Sequence, residues 1–222
     1  MIHPHTEVCH TGTDIGLGVF ATALIPIGTI VYAMDSLEIV LPPDIRLRDS
    51  PCYAEAFHRY AYQSPDGRWI INWDHGKYVN HNCEPNTLST GYGFEIAVRD
   101  ILPGEEMTTD YGMCNIEYKM PCLCGAPQCR GAVRPGDFDL RHARWDSIVR
   151  PVLTDVLQVE QLLWSLLDHE VRADLQRYCR DGSGYRTVRM RQYVAQAAGR
   201  AKRPRPISRD CSQNFTFPGA GA

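Results

Sequence analysis

Short apolar segments separated by turn residues dominate the first 111 residues of the chain. These segments are rich in β-branched and aromatic residues, which is typical of strands, and Gly and Pro mark the turns between them. Strands are predicted at residues 19–22, 29–33, 68–73, 94–99 and 107–109. Residues 43–60 have a more helical pattern with a break at Pro51. The first part of the chain is therefore predicted to be mostly β.

Helical spacing of apolar residues replaces this pattern after Pro135. It predicts a short helix that ends before Pro151, and then a long helix that begins at Thr154 or Asp155 and ends at Gly182. The apolar stripe of the long helix is predicted to dock on the preceding domain. Its members are Val156, Val159, Leu163, Leu166, Leu167, Val171, Leu175 and Tyr178.

The composition is that of a globular protein, but the charge is unevenly distributed. The chain has 222 residues, of which 44% are hydrophobic, and a formal net charge of −3. Residues 1–133 carry 8 Lys and Arg against 16 Asp and Glu, whereas residues 134–222 carry 15 against 10. An acidic first half disfavours nucleic acid and suits a basic peptide, although a merely solvated surface accounts for it equally well. The end of the chain is rich in Arg, Pro and Gly, which predicts disorder.

The sequence has no pattern typical of a membrane or export segment. No stretch approaches the roughly eighteen continuous apolar residues of a membrane span, and the first residues lack the features of a signal peptide. No membrane partner is therefore predicted. The protein is expected inside the cell, in the cytoplasm, with a nuclear location left open.

Nine cysteines exceed the usual number for a chain of this length, and three crowd together as Cys122, Cys124 and Cys129. In a reducing compartment such a crowd indicates a metal site rather than disulfides. The three thiolates are one short of the four that a closed tetrahedral zinc site requires.

Four sequence motifs follow one another in a specific order. They are G-x-G at 16–18, N-H-x-C-x-P-N at 80–86, G-E-E-x-x-x-D-Y at 104–111 and C-x-C-x4-C at 122–129. A G-x-G is common in turns, but the other three in this order are highly specific. Together the motifs resemble the SET-domain family of protein lysine methyltransferases, with its zinc-binding post-SET segment. The resemblance covers roughly residues 7–131.

This resemblance implies a SET fold of short curled sheets with a knot-like C-terminal segment, followed by an α-helical extension. It divides the chain into a SET domain at 1–115, a post-SET segment at 116–134, a helical extension at 135–198 and a basic tail at 199–222. The implied activity is transfer of methyl groups from S-adenosylmethionine to the side-chain amine of a lysine in a protein. A basic, histone-like tail is one candidate substrate, and direct nucleic-acid binding is not expected.

Nine residues are implied by the family motifs to bind S-adenosylmethionine. The glycines of G-x-G remove side chains, so that the backbone can press against a flat cofactor, although alone they fit an ordinary hairpin turn equally well. Asn80 offers its amide group, His81 its backbone and Lys77 a positive charge for the cofactor carboxylate. The nine residues are Ile15, Leu17, Gly18, Tyr60, Lys77, Asn80, His81, Tyr111 and Met120.

Tyr111 matches the catalytic tyrosine of the family. Methyl transfer to lysine is an in-line displacement that needs a neutral amine, whereas lysine is normally protonated at pH 7. A narrow apolar channel beside a sulfonium lowers the lysine pKa, and the hydroxyl of Tyr111 is then expected to orient the amine.

Thr109 stands where the family usually has an aromatic residue that lines the lysine channel. Either the channel is wider and admits two or three methyl groups, or a neighbouring bulky residue fills the gap. Because one neighbour rarely replaces the whole volume of a ring, a product beyond monomethyl-lysine is predicted.

The resemblance also implies Cys83, from N-H-x-C, as the fourth zinc ligand beside Cys122, Cys124 and Cys129. The closed site would hold the post-SET segment next to the active site and shape the lysine channel. Cys114 is a competing candidate for the fourth position.

Two other classes of function remain open from the sequence alone. A SET fold could be kept for protein contact after losing its activity, but the intact Asn80, His81 and Tyr111 disfavour this. A zinc-containing nucleic-acid binder could use the basic residues at 200–205, but the acidic first half disfavours it.

Overall fold

The computed structural model describes residues 1–13 and 15–194. The predicted basic tail at 199–222, and the last four residues of the predicted helical extension, lie outside the described residues. Within the described part, none of the helices is long and apolar enough to cross a membrane.

Small sheets contain most of the regular secondary structure of the first 133 residues, and the two longer α-helices follow them. The strands are β1 (Thr6–His10), β2 (Leu17–Ala21), β3 (Ile30–Ala33), β4 (Ile39–Leu41), β5 (Ala61–Gln63), β6 (Trp69–Ile71), β7 (Asn80–His81), β8 (Thr87–Ser89), β9 (Phe94–Ala97), β10 (Glu106–Thr109), β11 (Met120–Pro121) and β12 (Ala132–Val133). The α-helices are α1 (Ala54–Tyr60), α2 (Asp137–Val152) and α3 (His169–Asp181). Short 3-10 helices lie at Arg46–Asp49, His75–Tyr78, Tyr111–Met113, Leu153–Asp155, Trp164–Leu166 and Val188–Arg191.

The predicted mostly β fold of the first part is confirmed. The strands combine into sheets of order β1-β2-β10-β7, β3-β9-β8, β4-β6-β5 and β11-β12. All five predicted strands are present, and their ends differ from the prediction by at most two residues. The helical segment predicted at 43–60 consists of a 3-10 helix and α1, which Pro51 separates.

The pairing of β7 with β10 brings two sequence motifs side by side. These strands run parallel, with Asn80 opposite Thr108 and His81 opposite Thr109. The pairing continues past the strand ends, because the amide of Asn82 donates to the carbonyl of Thr109 at 3.0 Å. The N-H-x-C segment therefore lies directly against the segment that leads into Tyr111.

Two clusters of buried side chains hold these elements together. The smaller one contains Ile2, Val19, Ala21, Ile25, Val31, Ala97, Ile101 and Met107. The larger one joins the β3-β9-β8 sheet to the C-terminal helices, through residues such as Ile30, Leu88, Phe94, Trp145, Val149, Val156, Leu163 and Leu175. Burial of each such side chain contributes on the order of 1.5–3 kcal/mol, so the extension is an integral part of the fold. The predicted docking of its apolar stripe on the β domain is confirmed.

The prediction of a short helix that ends before Pro151 is wrong, because α2 spans 16 residues and continues to Val152 with Pro151 inside it. A proline in the last turn removes only one backbone donor. Val149 and Val152, which are 0% and 6% exposed, anchor this turn in the larger core cluster. The burial of these two valines therefore outweighs the loss of one backbone hydrogen bond at Pro151.

The prediction of one helix from residue 156 to Gly182 is also wrong, since α3 begins only at His169. The preceding residues form turns and short 3-10 helices over the β domain. The side chain of Gln161 fixes this path: its Nε2 donates to the carbonyls of Gly28 and Val156, both at 2.8 Å, and its Oε1 accepts from the amide of Ile30 at 2.8 Å. Tertiary contacts therefore override the helical spacing of the apolar residues. The predicted end of the helix at Gly182 is confirmed, and Gly182 has the left-handed conformation of a helix C-cap, with a φ of 73°.

Candidate active site

Tyr111 begins a 3-10 helix directly after β10, and backbone and side-chain contacts fix its position. Its hydroxyl donates to the carbonyl of Val79 at 2.7 Å, and its amide donates to Nδ1 of His81 at 3.2 Å. The carboxylate of Asp110 caps the turn by accepting from the amide of Gly112 at 2.9 Å. Burial raises the pKa of the Tyr111 phenol above its ordinary value, so the hydroxyl is a neutral hydrogen-bonding group at physiological pH.

A cavity of about 300 Å³ lies next to Tyr111. Five of the predicted site residues line it: Tyr60, Lys77, Thr109, Tyr111 and Met120. They come from distant parts of the sequence, and β10 and its neighbours bring them together. Thr109 is only 5% exposed, so its hydroxyl faces the interior of this site rather than bulk solvent.

The other predicted cofactor residues form a second group beside β7 that does not line this cavity. Nδ2 of Asn80 donates to the carbonyl of Leu17 at 2.9 Å and to Oε1 of Glu106 at 2.7 Å. A Cβ atom at Gly18 would lie 3.1 Å from the same Nδ2 and 2.5 Å from Oε1 of Glu106. A side chain at this position would therefore displace the Glu106 carboxylate and disturb its hydrogen bond with Asn80. His81 is 9% exposed, whereas Ile15 and Leu17 are exposed.

Several polar groups of the cavity wall were not predicted from the sequence. They are Tyr32, Tyr62, Ser89, Glu95, Cys114 and Arg191. The alternation along β9 contains a signal for Glu95, because a polar residue between Phe94 and Ile96 faces the side of the sheet opposite to theirs. No comparable local signal marks Arg191, which comes from the C-terminal extension.

A buried ion-pair network lies behind Tyr111. Both carboxylate oxygens of Asp110 accept from Arg130, at 2.8 and 2.6 Å, and Nε1 of Trp145 donates to the same carboxylate at 3.1 Å. Nε of Arg130 lies 3.1 Å from Asp137 at the start of α2. Burial alone would raise the pKa of Asp110, but the hydrogen bonds and charge of Arg130 outweigh it and hold that pKa below the ordinary value. Asp110 is therefore an anion here.

The four predicted cysteine ligands come together in one cluster. The sulfur atoms of Cys83, Cys122, Cys124 and Cys129 all lie within 4.8 Å of one another. The Sγ atom of Cys122 lies 3.8 Å from that of Cys83 and 3.6 Å from that of Cys129. A tetrahedral zinc site with Zn–S bonds of about 2.3 Å requires sulfur separations of about 3.8 Å, so the cluster fits such an ion. The competing Cys114 lies in the cavity wall instead.

Comparison with known proteins agrees with this arrangement. Residues 16–112 match the family model described as the SET domain. The histone-lysine N-methyltransferase TRX1 of Oryza sativa subsp. japonica is 35% identical over 141 residues, which are 58% of this chain and 14% of that protein. An H3 lysine-4 specific histone-lysine N-methyltransferase of Schizosaccharomyces pombe is 44% identical over 62 residues, or 25% of this chain and 7% of that protein.

A solved structure, the methyltransferase domain of human histone-lysine N-methyltransferase SETMAR, aligns with 22% identity and a TM-score of 0.38, covering 60% of this chain and 58% of that chain. The chain thus spans at most 14% of the two curated relatives. The matched segment contains the G-x-G turn, the N-H-x-C strand and Tyr111. The likeness to the SET-domain family model is therefore a property of this segment, residues 16–112 of the chain.

Proposed function

We propose that this protein transfers methyl groups from S-adenosylmethionine to the side-chain amine of a lysine in another protein. The observation that carries the proposal is the position of Tyr111 at the wall of a cavity, next to the N-H-x-C strand. A cavity filled by cofactor and substrate orients the reacting groups, which supplies much of the rate of a displacement reaction.

The residues around the cavity fit the cofactor. When bound, S-adenosylmethionine supplies an electrophilic methyl group on a positively charged sulfur. Lys77 offers a positive charge for its carboxylate, and Tyr60 and Met120 offer apolar surface for its ring system. The close packing of Gly18 against Asn80 leaves the backbone of β2 free of side-chain bulk at the place where the family motif predicts cofactor contact.

Tyr111 would then position the lysine amine. Its neutral phenol can accept a hydrogen bond from the amine, while its own proton is already donated to the carbonyl of Val79. The hydroxyl is therefore fixed in direction before the substrate arrives. A positioned acceptor of this kind acts mainly in the transition state, where the alignment of nitrogen, methyl and sulfur matters most.

The cysteine cluster would hold zinc as a structural ion. Zinc fits the donor set, because four thiolates are typical of closed structural sites. Burial raises the pKa of the Cys83 and Cys122 thiols. At Cys124 the backbone amides of Ala126 and Cys83 help to outweigh burial and lower the pKa to about 7, so this thiol ionises most readily for metal binding. Met120 precedes the cluster by two residues and lines the cavity, so an occupied site would close the cavity on this side.

A histone tail is the substrate class that we favour. The curated relatives carry the name histone-lysine N-methyltransferase, and the acidic first half of this chain is complementary to a basic peptide. A histone substrate would require the protein to work in the nucleus.

The direct test is to incubate the purified protein with zinc, core histones and S-adenosylmethionine labelled in its methyl group. We expect labelled histone whose modified residues are lysines by mass spectrometry, and no label when cofactor is omitted. A parallel incubation with cell extract tests other protein substrates. Absence of labelled protein in both incubations, from a folded and metal-loaded sample, would contradict the proposal.

A further inference from the structure

Glu95 presents a carboxylate to the same cavity as Tyr111 and Thr109. It lies on the central strand β9, where it pairs with Tyr32 of β3 on one side and with Ser89 of β8 on the other. Strands on both sides fix its backbone, so its side chain has a defined direction into the cavity wall.

Only hydroxyl groups hold this carboxylate among the hydrogen bonds of the described residues. The Ser89 hydroxyl donates to Oε1 at 3.1 Å, and the Thr87 hydroxyl donates to Oε2 at 3.4 Å. Arg191 also lines the cavity, and its charge acts to lower the pKa of Glu95, although no direct ion pair joins the two side chains among the described residues. Buried carboxylates are normally paired with a cation, because leaving an enclosed charge unpaired is costly. The direct hydrogen-bond partners of Glu95 are thus neutral hydroxyls, and its carboxyl group lines a cavity that a cationic ligand can enter.

The other titratable groups that face Glu95 differ from it in charge. They are Tyr32, Tyr62, Tyr111, Cys114 and Arg191. Burial raises the pKa of the three phenols and of the Cys114 thiol, so these four groups stay neutral at physiological pH. The guanidinium of Arg191 stays charged and can only donate hydrogen bonds, so it cannot accept a proton from a lysine. Burial raises the pKa of Glu95, whereas the hydroxyl hydrogen bonds and the charge of Arg191 oppose this shift.

We propose that Glu95 binds the ammonium group of the target lysine and accepts a proton from it before methyl transfer. This inference rests on the proposed function and names the group that makes the lysine nucleophilic. The N–H bond of the ammonium breaks, its electron pair stays on nitrogen, and the proton moves to a carboxylate oxygen of Glu95. The nitrogen pair then forms the bond to the methyl carbon, while the pair of the carbon–sulfur bond leaves with sulfur.

The two catalytic groups have different tasks in this scheme. Tyr111 orients the neutral amine through its fixed hydroxyl, whereas Glu95 generates that amine from the cation present in solution. A lysine that enters as a cation also pairs with the carboxylate, which offsets the cost of taking two positive charges, lysine and sulfonium, into one cavity. Proton transfer to a positioned side chain typically contributes about 10²–10⁴-fold to a rate.

Glu95→Gln tests the proposal, because the amide keeps the size and hydrogen-bonding capacity of the side chain and removes only its basicity. The substrate is a lysine peptide identified by methyl labelling of the wild type. At pH 7 we expect kcat/KM to fall by about 100-fold or more, and the deficit to shrink as rising pH supplies neutral lysine from solution. The affinity for S-adenosylhomocysteine, measured by calorimetry, should change by no more than about twofold. Ser89→Ala is the matched comparison: it keeps the carboxylate but removes a donor that lowers the pKa of Glu95, so it should shift the pH profile to higher pH without the loss expected for Glu95→Gln.

A second substrate separates a chemical role of Glu95 from a structural one. Thialysine, in which sulfur replaces one methylene of lysine, has a less basic amine and needs a proton acceptor less. Glu95→Gln should therefore recover activity towards a thialysine peptide relative to a lysine peptide, and Glu95→Asp, which retains a base, should show less of this recovery. A deficit of Glu95→Gln that is the same at every pH and for both peptides would overturn the proposal, as would full activity at pH 7. An inactive wild type would instead contradict the proposed function itself.

Discussion

Arg130 forms a bidentate ion pair with Asp110, with nitrogen–oxygen distances of 2.8 and 2.6 Å. Both side chains are almost fully buried, with exposures of 7% and 3%. Arg130 follows directly after Cys129, and Asp110 directly precedes Tyr111. This contact therefore connects the cysteine cluster to the turn that carries the candidate catalytic residue.

Arg130→Gln should destabilise the fold strongly, because it leaves the buried carboxylates of Asp110 and Asp137 without their shared cation. Loss of one partner of a buried pair typically costs about 3–5 kcal/mol in the free energy of unfolding. Arg141→Gln is the matched control, since Arg141 approaches the same Asp137 at 3.9 Å but is 30% exposed. It should cost under about 1 kcal/mol. Equal losses for the two variants in urea unfolding experiments would show that the Arg130 pair does not stabilise the turn.

The cysteine cluster predicts one zinc ion per chain. Cys83→Ser and Cys124→Ser should each lower the bound metal, because three thiolates no longer close the tetrahedral site. Cys114→Ser should keep the full metal content, since Cys114 lines the cavity rather than the cluster. Metal analysis of the purified variants measures this directly. Loss of metal from Cys114→Ser together with retention by Cys83→Ser would reverse the assignment of the fourth ligand.

Asn80→Ala should weaken cofactor binding by at least about tenfold while the protein stays folded. The amide of Asn80 ties the carbonyl of Leu17 to the side chain of Glu106, so its removal frees the G-x-G segment from β10. Titration calorimetry with S-adenosylmethionine is the measurement, and wild-type affinity in the micromolar range corresponds to about −8 kcal/mol. Asn82→Ala serves as the control: it keeps the backbone bond to Thr109, and among the described residues the Asn82 side chain forms one hydrogen bond, which it accepts from the amide of Glu84 in an exposed turn. Equal affinities of both variants would remove Asn80 from the binding site.

Those parts of the site that reside in contiguous motifs could be predicted from the sequence. The spacing of Cys122, Cys124 and Cys129 restricts their side chains to one small region, and the family resemblance supplied Cys83. Tyr111 and Asn80 are predicted as site residues in the same way, since each lies in a motif whose neighbours are also specific.

The remaining features depend on contacts between distant residues. The apolar spacing at 156–167 reports which side chains are buried, but the backbone there follows the hydrogen bonds of Gln161 to residues 131 and 133 positions earlier in the chain. Arg130 and Glu95 are single charged residues in the sequence. Nothing in the sequence indicates that Arg130 pairs with Asp110 or that Glu95 lines the cavity, because both contacts form only in the folded protein.

Thr109 is predicted to permit products beyond monomethyl-lysine, because threonine leaves space that an aromatic ring would fill in the cavity wall. Mass spectrometry of the peptide product after long incubation measures the number of methyl groups. Thr109→Tyr should shift the product towards monomethyl-lysine, and Thr109→Ser, which keeps the hydroxyl without added bulk, should not. Only monomethyl-lysine from the wild type and from both variants would show that Thr109 does not set this limit.

The rate of methyl transfer by Tyr111→Phe, measured under single-turnover conditions, tests the central claim most directly. The substitution removes only the hydroxyl that faces the cavity and donates to Val79. We expect the rate to fall by about 100-fold or more, since a positioned hydrogen-bonding group acts mainly in the transition state. The affinity for S-adenosylhomocysteine should stay within about twofold of the wild type. An unchanged rate, from a variant whose fold and cofactor affinity are intact, would contradict the account.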